Sequence, residues 1–308
     1  MRAGWPPGGS GKRRSKRNRA AYVGLLWMIG VLVPVALAGP ARAAFPGRNG
    51  AIVFARESNH PGIFALQNGL LTRLTHGQDY HPSWSADGSR IVFQRFSGRN
   101  SDIFVMNSDG SNIRRLTHRT GSQPSWSPDG TKIVFVSARD GGDEIYVMNA
   151  DGSAETKLTH NTVDDVTPAW SPDGSTIAFA SRRKGNWDVY LMNPDGSNER
   201  RLTRNPASDR SPDWSPDGSR LALESNRSRS NFDIYTMLAV GGGITRLTGD
   251  TALDWAPAWS SDGTKIAYTF ARYRRGVEDI VVLDLRTSEA VRIVIPNKSE
   301  LEPNWQPR

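Results

Sequence analysis

The feature that most constrains this chain is a repeat. A Pro-x-Trp tripeptide recurs with its Trp at Trp84, Trp126, Trp170, Trp214, Trp259 and Trp305. The spacings are 42, 44, 44, 45 and 46 residues. One copy, His118 to Thr159, reads HRTGSQPSWSPDGTKIVFVSARDGGDEIYVMNADGSAETKLT. A period in the forties with several strands per unit is the mark of a β-propeller, in which each unit buries its faces against its neighbours. Each unit divides into four strands. In the copy quoted, Pro124–Ser127 is the first and 133–137 the second. The third is 144–148, and the fourth ends at Leu158-Thr159. The Pro-Asp-Gly and Asn-x-Asp-Gly-Ser segments between them supply the glycine that a tight hairpin needs.

The ends of the repeat region set the blade number. Residues 45–75 hold a second, third and fourth strand but no Pro-x-Trp strand, and Glu302–Gln306 supplies only that piece. Five complete repeats and two complementary parts predict an all-β, six-bladed propeller with four-stranded blades. A C-terminal strand completes the first blade and leaves no open edge. Loss of residues 300–308 should therefore destabilise the whole ring.

Charge is unevenly placed. The 308 residues carry 39 Lys and Arg against 31 Asp and Glu, a net of +8. Residues 1–43 hold eight of the bases and no acid, so residues 44–308 balance at 31 against 31. The balance argues against a nucleic-acid partner. Residues 11–19 are a basic run, residues 20–39 are uncharged, and Ala41-Arg42-Ala43 is a small-x-small site. This is a signal peptide or a signal anchor over residues 1–43. It implies a periplasmic, membrane-anchored extracytoplasmic or secreted propeller over 44–308. Membrane contact would come only through an uncleaved N-terminal segment. The chain has no cysteine, which excludes disulfides and thiolate chemistry. Gly8–Lys12 lacks the flanking residues of a phosphate-binding loop.

The repeated Trp-Ser-Pro-Asp-Gly, Asp-Ile-Tyr-x-Met-Asn and Arg-Leu-Thr segments resemble the TolB-type propeller repeat. The resemblance covers residues 45–308. It implies a cell-envelope or secreted protein that binds a protein or peptide at the propeller's mouth, in some relatives with calcium in the channel. TolB has an α/β domain before its propeller, whereas only the leader precedes Phe45 here. A Tol–Pal role therefore does not carry over intact.

Chemistry is sparse. His76, His118 and His160 share one repeat position, and no His-Glu-x-x-His occurs. Asp87, Asp129, Asp173, Asp217 and Asp262 fall in hairpin turns, as do Asp109, Asp151 and Asp195. A third set stands five residues before each Trp: Asp79, Gly121, Asp165, Asp209, Asp254 and Glu300. These five acids, on the crossovers between blades, form the candidate ring at one mouth. The ring could hold Ca²⁺ or a basic peptide, or each acid could cap its own loop. Arg182-Arg183-Lys184, Arg227, Arg229, Arg272, Arg274 and Arg275 follow second strands and read as exposed loop tips. The leading expectation is a monomeric, non-catalytic binding protein. The alternatives are a propeller enzyme acting on cell-wall glycan, or an architectural module.

Overall fold

The computed structural model describes residues 49–57, 60–228, 231–249, 251–272, 278–293 and 298–307. The leader read over residues 1–43 lies outside the described residues. Among those described, no helix is long and apolar enough to cross a membrane.

The strands form six four-stranded antiparallel sheets. Blade 2 comprises Asp79–Trp84, Arg90–Ser97, Asn100–Asn107 and Arg114–Arg115, from the channel outward. Blade 3 runs Ser122–Trp126, Lys132–Ser137, Glu144–Asn149 and Thr156–Lys157. Blade 4 runs Asp165–Trp170, Ile177–Ser181, Asp188–Met192 and Arg200–Arg201. Blade 5 is Asp209–Trp214, Arg220–Ser225, Asp233–Leu238 and Thr245–Arg246. Blade 6 is Leu253–Trp259, Lys265–Ala271, Glu278–Asp284 and Ala290–Ile293. Blade 1 takes its innermost strand, Ser299–Trp305, from the far end of the sequence and adds Ile52–Glu57, Gly62–Gln67 and Leu70–Arg73. Trp305 faces Ile52 and Ser299 faces Glu57 across that closing pair.

The apolar core is divided among the blade junctions. Trp84 packs with Val53 and Ile63 of blade 1 and with Ile91 and Phe93 of blade 2. Trp126 does the same between blades 2 and 3, and Trp170 between blades 3 and 4. Both faces of a second strand are covered, which is why runs such as Ile133–Val136 lose the alternation of a half-exposed strand. Phe54, Phe93, Phe135 and Phe179 fill equivalent places and are fully buried. Truncating any of them to Ala should cost about 3–5 kcal/mol.

The polar consensus is also structural. In the first hairpin, Ser127 Oγ donates to Asp129 (2.6 Å), and Asp129 accepts from Thr131 N–H (3.0 Å). Gly130 closes that turn at φ 68°, a conformation that disfavours side chains. The same bonds recur around Asp87, Asp173, Asp217 and Asp262. They hold the Asp87 carboxyl down at about 2, chiefly through Ser85 and Ser89. The Thr of each Leu-Thr accepts a third-strand N–H, as in Thr117 with Ile103 (3.0 Å) and Thr159 with Ile145 (2.9 Å).

The strand directions give the propeller two faces. The first-to-second and third-to-fourth hairpins emerge on one, here the hairpin face. The second-to-third loops and the blade crossovers emerge on the other, the crossover face.

Candidate functional site

The channel is built by one device used six times. In every innermost strand the residue before the Pro adopts positive φ. These residues are His81, Gln123, Thr167, Ser211, Ala256 and Glu302, with φ between 49° and 56°. Pairing with the second strand breaks at the same place, for example between Tyr80 and Ser83 and between Arg210 and Asp213. Pro cannot donate to the ladder, so a bulge here leaves no missing bond. The bulged residues line a cavity of about 550 Å³. Its walls include His81, Gln123, Thr167, Ser211, Ala256 and Glu302, with Asp213 and Asn304. Asp143, Asp164, Trp187 and Trp255 also line it. Asp143 and Trp187 come from second-to-third loops and Asp164 from a crossover, so the cavity opens on the crossover face.

The backbone repeats around this channel and the side chains do not. His81 donates its N–H to Glu302 (2.7 Å), and its Nε2 stands 3.1 Å from the other Glu302 oxygen. Gln123 Oε1 accepts from Thr167 N–H at 2.8 Å. Asp213 accepts from Trp259 N–H at 2.6 Å, and Asn304 accepts from Trp84 N–H at 3.0 Å. Glu224 pairs with Arg210 at 2.9 Å and accepts from Ala256 N–H at 3.2 Å. Arg210 in turn lies 4.5 Å from the Phe232 ring centre. Burial raises the Asp213 carboxyl to about 7, because two backbone donors offset little of the lost hydration. Glu224 and Glu302 are also raised, again mainly by burial.

The five acids expected at the mouth occupy equivalent positions, and four of them, Asp79, Asp165, Asp209 and Glu300, are paired with an arginine of their own blade. Asp79, Asp165, Asp209, Asp254 and Glu300 are all buried. Arg95 forms a two-point bridge with Asp79 at 2.6 and 2.8 Å. Arg183 bonds Asp165 at 2.7 Å, Arg227 bonds Asp209 at 2.8 Å, and Arg56 bonds Glu300 at 3.0 Å. Asn161 and Asn205 add second donors to Asp165 and Asp209. The Asp254 N–H donates to the Phe232 carbonyl at 2.9 Å, tying blade 6 to blade 5. Burial lifts the Glu300 carboxyl to about 7, against the pull of Arg56. Gly121 is the gap in the ring for a steric reason. A Cβ there would come within 2.8 Å of Ile103 and 2.9 Å of Thr117. Among the described residues, no three His, Asp or Glu side chains stand close enough to hold a metal ion.

The arginines complete a repeated motif. Arg183 stacks 5.1 Å from the Tyr190 ring centre, Arg227 5.1 Å from Tyr235 and Arg95 5.0 Å from Phe104. Arg183 and Arg227 are thus internal ion-pair partners, not the loop tips expected from the sequence. The bidentate, planar guanidinium bonds the acid with its edge and the aromatic ring with its face. Arg182 does lie exposed, and Arg229, Arg274 and Arg275 fall outside the described residues. A second belt joins third and fourth strands: Asp102–Arg115, Glu144–Lys157, Asp188–Arg201 and Asp233–Arg246. It accounts for the basic residue of Arg-Leu-Thr. His76, His118 and His160 are exposed on the surface.

Sequence reading missed the channel residues because they match no motif. The available signal was the reverse: the position before each Pro carries a different residue in every repeat.

A closed six-bladed propeller with a polar channel, bulged at the same place in all six innermost strands, defines a scaffold class. The chain belongs to the TolB β-propeller family, whose domain model matches residues 119–212, 160–269 and 205–308. TolB from Acinetobacter baumannii is similar in fold, with a TM-score of 0.76 at 21% identity over 84% of this chain and 67% of that one. A TolB-type protein from Agrobacterium tumefaciens gives 0.68 at 20% identity, over 84% and 91% of the two chains. A chain of a nidogen/laminin complex gives 0.68 at 13% identity, over 83% and 98%. No curated protein matches this chain.

Proposed function

We propose that this protein is an exported, non-catalytic propeller that receives a segment of a protein or peptide partner at the crossover-face mouth of its channel. One observation carries the reading: six geometrically identical channel positions hold six different side chains. A purely structural position, such as the first-hairpin Asp, is kept in each repeat that has that hairpin. A position freed from structural duty can be fitted to one irregular ligand. The set offers hydrogen-bonding groups of both kinds, two tryptophans at Trp187 and Trp255, and carboxylates at Asp143 and Asp164. Aromatic anchors ringed by polar groups suit a peptide segment. The basic and apolar leader supports placement beyond the cytoplasmic membrane, and the TolB relatives support a partner in the cell envelope. The acid ring enters this reading as the frame of the mouth.

The test is capture from an envelope extract on the full chain, attached through its C-terminus. Gln306 lies on the hairpin face, so the mouth stays open. A partner retained by the native chain should be lost at least about ten-fold on Trp187→Ala, as befits an aromatic anchor. Equal retention on both would remove the mouth as the binding site.

A further inference from the structure

We propose that the hairpin face lies against a lipid bilayer, with the 238–244 hairpin of blade 5 as its deepest contact and the channel mouth turned away from the membrane.

Internal comparison of the repeats carries the first step. Blades 2, 3 and 4 join their third and fourth strands through Asn107–Ser111, Asn149–Ser153 and Asn193–Ser197, each of the form Asn-x-Asp-Gly-Ser. Blade 5 has Leu238-Ala239-Val240-Gly241-Gly242-Gly243-Ile244 at the same place. The hydrogen bond that closes the turn is kept. Asn107 N–H donates to the Ser111 carbonyl at 2.9 Å, and Leu238 N–H donates to the Gly242 carbonyl at 3.0 Å. Apolar side chains are therefore not needed to make this turn. Val240 nevertheless stands 84% exposed, with Leu238 and Ile244 partly exposed beside it.

The second step is the distribution of exposed large apolar residues. Seven occur among the described residues. Leu70, Ile113, Leu238, Val240 and Ile244 sit at third-to-fourth hairpins, on blades 1, 2 and 5 of the hairpin face. Apolar tips spread over three blades of one face fit a planar partner better than a peptide in a groove. Charge is not the attraction, since Asp109, Asp151 and Asp195 present carboxylates on the same face. The fit is to the bilayer interface, entered by short apolar tips.

The third step is the point of entry of the chain. Ala51 N–H donates to the Gln306 side chain at 3.0 Å, and Gly50 packs against Gln306, so the described chain begins on the hairpin face. The apolar run at residues 20–39 ends ten residues before Asn49. Ten residues reach no more than about 35 Å.

The chain has no native cysteine, which makes single labels specific. Val240→Cys and, on the crossover face, Gln78→Cys would be introduced separately in the full chain and labelled with an environment-sensitive fluorophore. Each would be reconstituted in phosphatidylcholine vesicles with and without spin-labelled lipid. The Val240→Cys label should shift to the blue and be quenched at least about two-fold more than the Gln78→Cys label. Equal quenching of the two, with equal access to aqueous iodide, would overturn the proposal. A blue shift of the Val240→Cys label that grows with protein concentration in detergent without lipid would overturn it too, by assigning the tips to a second copy.

Discussion

Two positions, two residues apart at the start of every innermost strand, behave in opposite ways. At the first, blades 2, 4, 5 and 6 place Asp79, Asp165, Asp209 and Asp254, and blade 1 places Glu300. At the second stand His81, Thr167, Ser211, Ala256, Glu302 and, in blade 3, Gln123. The first position keeps its chemistry in five blades, is buried, and in four is bonded to an Arg of the second strand or of the loop that follows it. The second keeps only its backbone angle and its place on the channel wall. The difference teaches how to read a repeat protein. Uniformity marks what each blade needs to fold, and divergence at a fixed geometry marks what the whole ring is free to use. The acids drew attention in the sequence because they recur, and recurrence is the property that ties them to folding.

The largest expected effect separates the two positions directly. Asp165→Ala removes the fully buried acid that holds Arg183, a half-buried loop residue that still reaches Glu199 and stacks on Tyr190. Losing a charge-assisted bond of this half-buried kind costs about 1.5–3 kcal/mol. Ala256→Gly, at the channel position, relieves the left-handed strain on Ala256 but adds backbone freedom to the unfolded chain. The terms are about 1–2 and 0.5–1 kcal/mol, so stability should hold or rise slightly. Urea unfolding of both variants checks the pair. An Asp165→Ala loss no larger than the Ala256→Gly change would erase the distinction.

The architecture was legible almost entirely in the sequence, and the site only in part. Trp spacing, turn glycines and the complementary ends fixed six blades and the closing strand, because those signals are local and repeated six times. The acids stand at equivalent places in their blades, as their constant distance from each Trp requires. Their partners were not legible, since Arg56 and Arg95 follow the start of the second strand at a different offset from Arg183 and Arg227. In blades 4 and 5 that offset includes Ser181 and Ser225, and the arginine reaches back from the loop. A pairing that varies in register leaves no fixed spacing to read. The channel side chains were invisible for a related reason. Their common property is a positive φ before Pro, and no residue type among the six announces it.

A smaller effect sharpens the electrostatic side of the comparison. Asp213 belongs to the channel set, and burial raises its carboxyl to about 7. In the unfolded chain it titrates near 3.8. Below that value it is protonated in both states and costs nothing. As pH rises from about 4 to 7 the unfolded chain releases its proton first, so folding stability falls, and it levels above 7. Asp213→Asn keeps an oxygen for the Trp259 N–H and removes the titration. The variant should gain on the native chain between pH 4 and 7, by on the order of 2 kcal/mol at pH 8. Chemical denaturation at pH 4, 6 and 8 measures the difference. A constant offset across the three would mean that Asp213 ionises in the folded chain as readily as in water.

The smallest expected effect concerns calcium, and here the comparison decides what a null result means. Ca²⁺ binds through six to eight oxygens at 2.3–2.6 Å, several of them from carboxylates free to turn toward it. Asp79, Asp165, Asp209 and Glu300 each spend at least one oxygen on an arginine of their own blade. A cation at the mouth would have to displace those guanidiniums from their buried acids. The channel carboxylates Asp213 and Glu302 are held by backbone N–H groups on different strands. Melting the full chain in millimolar calcium and in chelator should therefore give the same midpoint within about 1 °C. A ligand at one hundred times its dissociation constant would add about 2.7 kcal/mol, which is several degrees for a domain of this size. A rise of that size would show that the ring opens to a cation and that its arginines have an alternative position. It would also move the five acids from the folding set to the functional one, where uniformity would then count as a six-fold ligand design with one blade left open at Gly121.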